Sequence, residues 1–275
     1  MENLFDAAES CLSACEIKEK LQLTEQTAQA WRDGLLSLES KSAPKPVDEP
    51  GRPGKPILVP PGDVPKRRLG TPAGLAALIH AVTHIEFNAI NLAWDAVYRF
   101  RDLPQQFYDD WVHIAIEEAY HFQLLRQRLH ELNSDYGDFP AHNGLWNMAR
   151  RTAFDPLVRM ALVPRVLEAR GLDVTPGIIQ RLRQADDNRT VAVLEIILRD
   201  EIGHVAIGSH WFKYLCQQRE LDSEQLFREL IAQYFTGQIC GPFHYEARQR
   251  AGFSAAELSA LEHLKETTAH AEKPA

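Results

Sequence analysis

Residues 109–128 read DDWVHIAIEEAYHFQLLRQR, and the spacing inside them decides the fold. Apolar residues recur at helical intervals, so the stretch predicts one amphipathic helix. It carries Glu117, Glu118 and His121. Glu118 and His121 are three residues apart, about 60° on a helix of 3.6 residues per turn, and therefore share a face. A carboxylate and an imidazole on one inward stripe can hold a metal ion together. The device returns in residues 197–208, ILRDEIGHVAIG, where Asp200, Glu201 and His204 keep the same order and spacing. A single Glu-x-x-His is common by chance. Two of them, each preceded by an acid and each set in an apolar helix, match the dinuclear sites of helix bundles. Such sites take one lone Glu from each of two further helices.

The first lone acid is Glu86. Thr71-Pro72 reads as an N-cap followed by proline at the first helical position. The apolar stretch from there to about Arg101 belongs in the middle of a protein. Asp102-Leu103-Pro104 breaks it. Glu86 lies 16 residues before Asp102 and Glu118 lies 16 after it. In an antiparallel hairpin the two carboxylates stand at one level.

The second lone acid is Glu168. Residues 133–149, NSDYGDFPAHNGLWNMA, are rich in turn formers and long enough to cross over a bundle. The helical stretch after them carries Glu168. Pro156 predicts an early break in it and Pro164 a kink. Gly171 through Pro176 predicts an interruption that bears on the register of Glu168. A turn at 185–188 precedes the last core helix, from about Arg189 to Gln218. Glu168 and Glu201 are 33 residues apart, against 32 for the first pair, so the two hairpins read as a pseudo-repeat.

The expected metal ligands are thus Glu86, Glu118, His121, Glu168, Glu201 and His204. Four carboxylates and two imidazoles suit two iron ions, or manganese and iron. Four acids converging in an apolar core need a counter-charge, and two dications supply it. Any one of these residues alone would pass for a surface Glu or His paired with an arginine; the six together, at matched levels, point to metal. Glu117 and Asp200 point about 100° away from the ligand stripe and are expected to support ligands or pair with Arg. His84 diverges from Glu86 and reads as a packed or hydrogen-bonded core group. Trp94, Trp111, Trp146 and Trp211 read as core.

The remaining chain is organised around this bundle. Residues 1–40 predict two short helices, with Thr24 as a candidate N-cap for the second. Residues 41–70 form a Pro/Gly-rich arm that should run extended over a surface; Lys66, Arg67 and Arg68 in it read as a solvated turn. Residues 71–218 form the bundle. Residues 219–275 add C-terminal helices, one from about Ser223 to Thr236 and one opening at Ser254, where SAAE fits a capping box. The net charge of −8 in 275 residues argues against wrapping nucleic acid. No apolar run approaches the length needed to span a bilayer, and the acidic N-terminus lacks a secretory layout. Cys11, Cys15, Cys216 and Cys240 form no Cys-x-x-Cys pair and are expected to be reduced thiols in a cytoplasmic protein.

At HIEFNAINLAWDAVYRF, FYDDWVHIAIEEAYHFQLL, YGDFPAHNGLW, RMALVPRVLEARGLDVTPG and ILRDEIGHVAIG the chain closely resembles a bacterial ferritin-like family, domain-of-unknown-function family 455. The resemblance runs from about Gly51 to Phe212. It implies an all-α, ferritin-like four-helix bundle with a crossover connection and a dinuclear metal centre; the family supplies no reaction. The wider superfamily includes rubrerythrins, diiron monooxygenases acting on tRNA, and small-molecule oxidases. The absence of Cys-x-x-Cys pairs departs from rubrerythrins, so any electrons come from a separate donor.

Three functions are compatible with these residues. One is an oxidoreductase that activates dioxygen or peroxide on a small-molecule substrate. Another is a non-catalytic metal-binding or ferroxidase role. The third is an interaction protein that kept the fold. A homodimer stays open.

Overall fold

A computed structural model describes residues 3–40, 42–65, 70–234 and 241–262. The described residues are helical apart from loops and two isolated bridges. They fall into two compact units, Met1–Ala153 and Phe154–Ala275.

The first unit is built on a hairpin of α3 (Pro72–Arg99) and α4 (Gln105–Glu131). The Thr71 side chain accepts from the Gly74 N–H with Pro72 at the first helical position, as the sequence predicts. The hairpin turns at Asp102, whose φ of 61° is the left-handed conformation that Asp tolerates better than most residues. From Glu86 to Tyr98 every residue of α3 is buried. An 18-residue window of α3 has a mean hydropathy of 1.3, enough in length and composition to cross a membrane, although no uninterrupted apolar run does so. Most of that window, 61%, is buried inside the protein, and polar groups on α3 find protein partners there. Asn91 Oδ1 accepts from Lys20 Nζ at 2.7 Å, and Asp95 pairs with Arg99 at 2.6 Å. The apolar surface of α3 is therefore core surface.

Two N-terminal helices cover the hairpin, α1 (Leu4–Ser13) on α3 and α2 (Ile17–Arg32) on α4. The helix boundary expected at Thr24 is not there. α2 begins seven residues earlier, and Thr24 is fully buried inside it, where its hydroxyl accepts from Trp94 Nε1 at 2.9 Å. A buried acceptor for an indole N–H outweighed the capping preference of threonine. Lys20 is buried too, its ammonium donating to the carbonyls of Cys11 and Leu12 at the end of α1 and to Asn91. It thus satisfies orphan carbonyls of that helix end.

Through its described residues the Pro-rich arm lies along the first unit, in loops apart from one 3-10 turn at Pro61–Asp63, where the sequence predicts no helix. The Lys45 N–H donates to the Tyr98 hydroxyl, Trp146 Nε1 donates to the Asp48 carbonyl, and Leu58 bridges to Ala141. Gly51 is needed where the arm meets α1: a Cβ there would stand 2.2 Å from the Ser13 carbonyl oxygen. Trp146 lies on α5 (Gly144–Arg151). Lys66, Arg67 and Arg68 lie outside the described residues.

The second unit opens with α6 (Pro156–Leu162), capped by Asp155 with Pro156 at its first position. This is the early break the sequence predicts. At Pro164 the backbone leaves α geometry by widening into a π-helical turn, Val163–Glu168. The interruption expected at Gly171–Pro176 is absent. α7 (Ala169–Gln184) runs through both residues with Pro176 inside it. Burial of Leu172, Ile179 and Leu182 along α7 holds it against α8 despite the lost proline hydrogen bond. α8 (Asn188–Gln218) starts at Asp187, whose side chain accepts from the Thr190 N–H. α9 (Ser223–Tyr234), α10 (Tyr245–Arg250) and a helical stretch at 255–262 complete the unit. The Ser254 capping box forms: its hydroxyl accepts from the Glu257 N–H, and its own N–H donates to the Glu257 carboxylate. Thr236, Cys240 and the C-terminal tail from 263 lie outside the described residues.

Candidate metal centre

In the first unit Glu86, Glu118 and His121 meet across the α3–α4 hairpin. All three are buried. His121 Nδ1 lies 3.3 Å from Glu86 Oε2 and 3.5 Å from Glu118 Oε2. One ligand atom from each lies within 4.8 Å of the others, a spacing at which a single cation can touch all three. The equal distances of Glu86 and Glu118 from Asp102 put the two acids at one level. The three-residue step from Glu118 puts His121 on the same stripe.

The electrostatics of the group is unfavourable without a cation. Burial first, and Glu118 beside it second, push the Glu86 carboxyl well above the usual carboxylate range. For His121 burial alone would lower the value. The carboxylates of Glu118 and Glu86 beside it outweigh burial and hold the imidazole up at about 11. Glu86 Oε2 is buried and accepts no hydrogen bond of good geometry. A buried carboxylate oxygen in that state is expensive to hold unless something else coordinates it. The donor set, two hard oxygens and a nitrogen, is what iron and manganese accept. The residues present therefore fit a metal ion.

The second unit places the other expected ligands on two elements. Glu201 and His204 share a stripe of α8, with His204 Nδ1 3.5 Å from Glu201 Oε1; the imidazole is buried and the acid is half-buried. Glu168 is half-buried at the last position of the π turn. Among the described residues these three do not form a three-ligand group by themselves.

The acids beside the ligands form ion pairs of their own. Glu117 pairs with His113 at 3.5 Å, and Asp200 accepts from Arg199 at 2.7 Å. His84 is a hydrogen-bonded core group: its Nδ1 meets the Tyr136 hydroxyl at 2.8 Å and its Nε2 faces the His142 carbonyl at 3.2 Å. Burial lowers its pKa to about 4, so the ring is neutral near pH 7. Trp94, Trp111, Trp146 and Trp211 are buried. Sequence reasoning missed Tyr136. Its ring packs 5.3 Å from both Phe87 and Phe122, between the two helices of the hairpin, and its hydroxyl holds His84. It lies in a turn-rich segment with no periodicity to mark it as core.

Fold and site define an all-helical protein with a buried Glu/His group able to hold a metal ion. The chain belongs to the family described as protein of unknown function (DUF455), whose model matches residues 13–259. The match extends at both ends beyond the 51–212 suggested by the motifs. An uncharacterized protein of Haemophilus influenzae is 49% identical over 222 residues, covering 78% of this chain and 77% of the relative. No solved structure matches the chain.

Proposed function

We propose that the protein is a ferritin-like dinuclear metal protein and an oxidoreductase. Glu86, Glu118 and His121 would hold metal in the first unit, and Glu168, Glu201 and His204 would be the ligands that the second unit supplies. The observation that carries this reading is the buried group of Glu86, Glu118 and His121 with an under-satisfied oxygen on Glu86. The repetition of Glu-x-x-His on α8, in the same order and spacing, supports a second set of ligands. Two iron ions, or manganese with iron, would supply one-electron redox chemistry toward dioxygen or peroxide when bound.

The chain's own part is to bind, orient and exclude water. The buried carboxylates compensate the cationic charge, and the hairpin fixes them before metal arrives. Glu86, Glu118 and His121 are themselves buried, so water is kept from the first-unit ligands. A small-molecule substrate, a separate electron donor and a cytoplasmic location accompany this reading. Where the reaction uses electrons, they would come from that separate donor, because the chain carries no Cys-x-x-Cys pair.

Elemental analysis of protein from iron-supplemented cells tests the metal. Absorbance after oxygen is added to the reduced form tests the redox role. Bound metal with no oxygen-dependent change would leave a metal-binding protein that is not an oxidoreductase. Wild-type protein with two metals per chain, and Glu118→Ala and His204→Ala variants that keep both, would overturn the ligand set.

A further inference from the structure

The π turn at Val163–Glu168 ends on Glu168, and the residues that hold it lie elsewhere in the second unit. A turn closed by i→i+5 bonds admits one residue more than an α turn. Relaxing it to α geometry would rotate the chain beyond it by about 100°. The width of this turn therefore decides which way Glu168 faces.

Two contacts fix it. Pro164 lies against Gly208 of α8 so closely that a Cβ on Gly208 would come within 2.4 Å of the proline Cβ and Cγ. Gly208 shares its stripe with His204 and Glu201, at helical steps of four and seven residues. Within a wide turn, residues four apart lie roughly above one another, so Glu168 shares the Pro164 face. α7 and α8 run antiparallel, so four residues onward from Pro164 stands level with four residues back from Gly208. By this register Glu168 falls level with His204.

Arg165 supplies the second contact. Its side chain is fully buried, and its Nη2 donates to Glu257 Oε1 at 2.6 Å. Its Nε donates to the Ser209 hydroxyl at 3.2 Å. The guanidinium lies 4.8, 4.1 and 4.6 Å from the ring centroids of Phe212, Phe227 and Phe253. Its Nη1 is buried with no hydrogen-bond acceptor, consistent with a cation held by aromatic faces. Glu257 is held in turn by the Ser254 capping box, and the Ser254 hydroxyl donates to Glu224 at 2.6 Å. A fully buried ion pair contributes little net stability compared with apolar residues of the same size. Here it joins the middle of the π turn to the C-terminal stretch at 255–262.

We infer that Arg165 and Glu257 are positioning residues for Glu168: their ion pair holds the π turn at the width that aims Glu168 at the Glu201–His204 stripe. The inference rests on the metal reading for its consequence, and on the turn itself for its mechanism.

The test uses the full chain and manganese(II) alone as the probe. It compares wild type with Glu257→Gln, with the double variant Arg165→Met/Glu257→Gln, and with Leu258→Ala. The double variant leaves no unpaired buried charge and keeps a side chain able to complete the capping box. Leu258→Ala weakens packing of the same stretch without touching the pair. Both pair variants should lose affinity at one of the two metal sites by about tenfold or more, as removal of outer-shell support does. Amide exchange over 163–168 should accelerate about tenfold. Leu258→Ala should retain both sites whatever its melting temperature. Pair variants that bind like wild type would overturn the inference, and so would equal losses in all three variants. Wild type that binds no manganese or iron would sink the metal reading instead. Exchange over 163–168 would then decide the role of the pair, with unchanged rates in the double variant counting against it.

Discussion

Nδ1 of His121 on α4 stands 3.3 Å from Oε2 of Glu86 on α3, with both side chains sealed from solvent. An imidazole and an acid so placed share protons when no cation is present and can share a cation when one is. The two states respond oppositely to the same substitution. Without metal, Glu86→Gln removes a poorly solvated acid next to Glu118 and should leave stability unchanged or raised. With manganese at a hundred times its dissociation constant, wild type should gain about 2.7 kcal/mol. Glu86→Gln should gain less than about 1 kcal/mol under the same mass-action relation. Urea unfolding with chelator and with manganese separates the two; equal gains would remove Glu86 from the site.

The pH dependence arises from protons held by the same group. The folded-state value of His121 is raised from 6.5 to about 11, and that of Glu86 is raised above 4.5. Folded protein therefore binds more protons than unfolded chain, so stability falls as pH rises. The His121 contribution is complete below about 6.5 and is lost as pH rises through about 11. Metal-free protein should accordingly melt at lower temperature at pH 9 than at pH 6, and metal affinity should rise over the same range as protons are displaced. Calorimetry in buffers of different ionisation heat measures the protons released. No release would show that the cluster is not where metal binds.

Gly208→Ala tests the notch under the π turn. The added methyl would collide with the Pro164 ring, so α8 or the turn must shift. Overpacking of this kind destabilises by about 1–3 kcal/mol. Thermal melting should show the loss, whereas Gly203→Ala, with nothing within 4 Å of the new Cβ, should match or exceed wild type.

Thr24→Val should cost about 1–3 kcal/mol, because it leaves the buried Trp94 indole N–H without its acceptor. Trp94→Phe in the same background removes the orphaned donor, and a double-mutant cycle should show coupling. Additive losses would mean that the hydrogen bond contributes nothing beyond packing.

Helical hairpins and the level of the first acid pair were legible in the chain because they depend on short-range rules. Proline and left-handed Asp102 end one helix and start the next, and Glu118 and His121 share a face through local periodicity alone. The caps at Thr71 and Ser254 formed for the same reason. Other features needed partners distant in sequence. Thr24 reads as a cap until Trp94 is seen to need its oxygen, and Lys20 reads as surface until two helix-end carbonyls and Asn91 surround it. Gly171 and Pro176 read as breakers, yet packing of α7 on α8 carries the helix through them. The π turn left no mark that periodicity could find, because its width is held by Gly208, the phenylalanine cage and Glu257. Local chemistry thus set which residues are helical and which acids sit at one level. Packing of remote side chains on Pro164 and Arg165 decided the rest, since a proline marks that a helix is distorted but not which form the distorted turn takes.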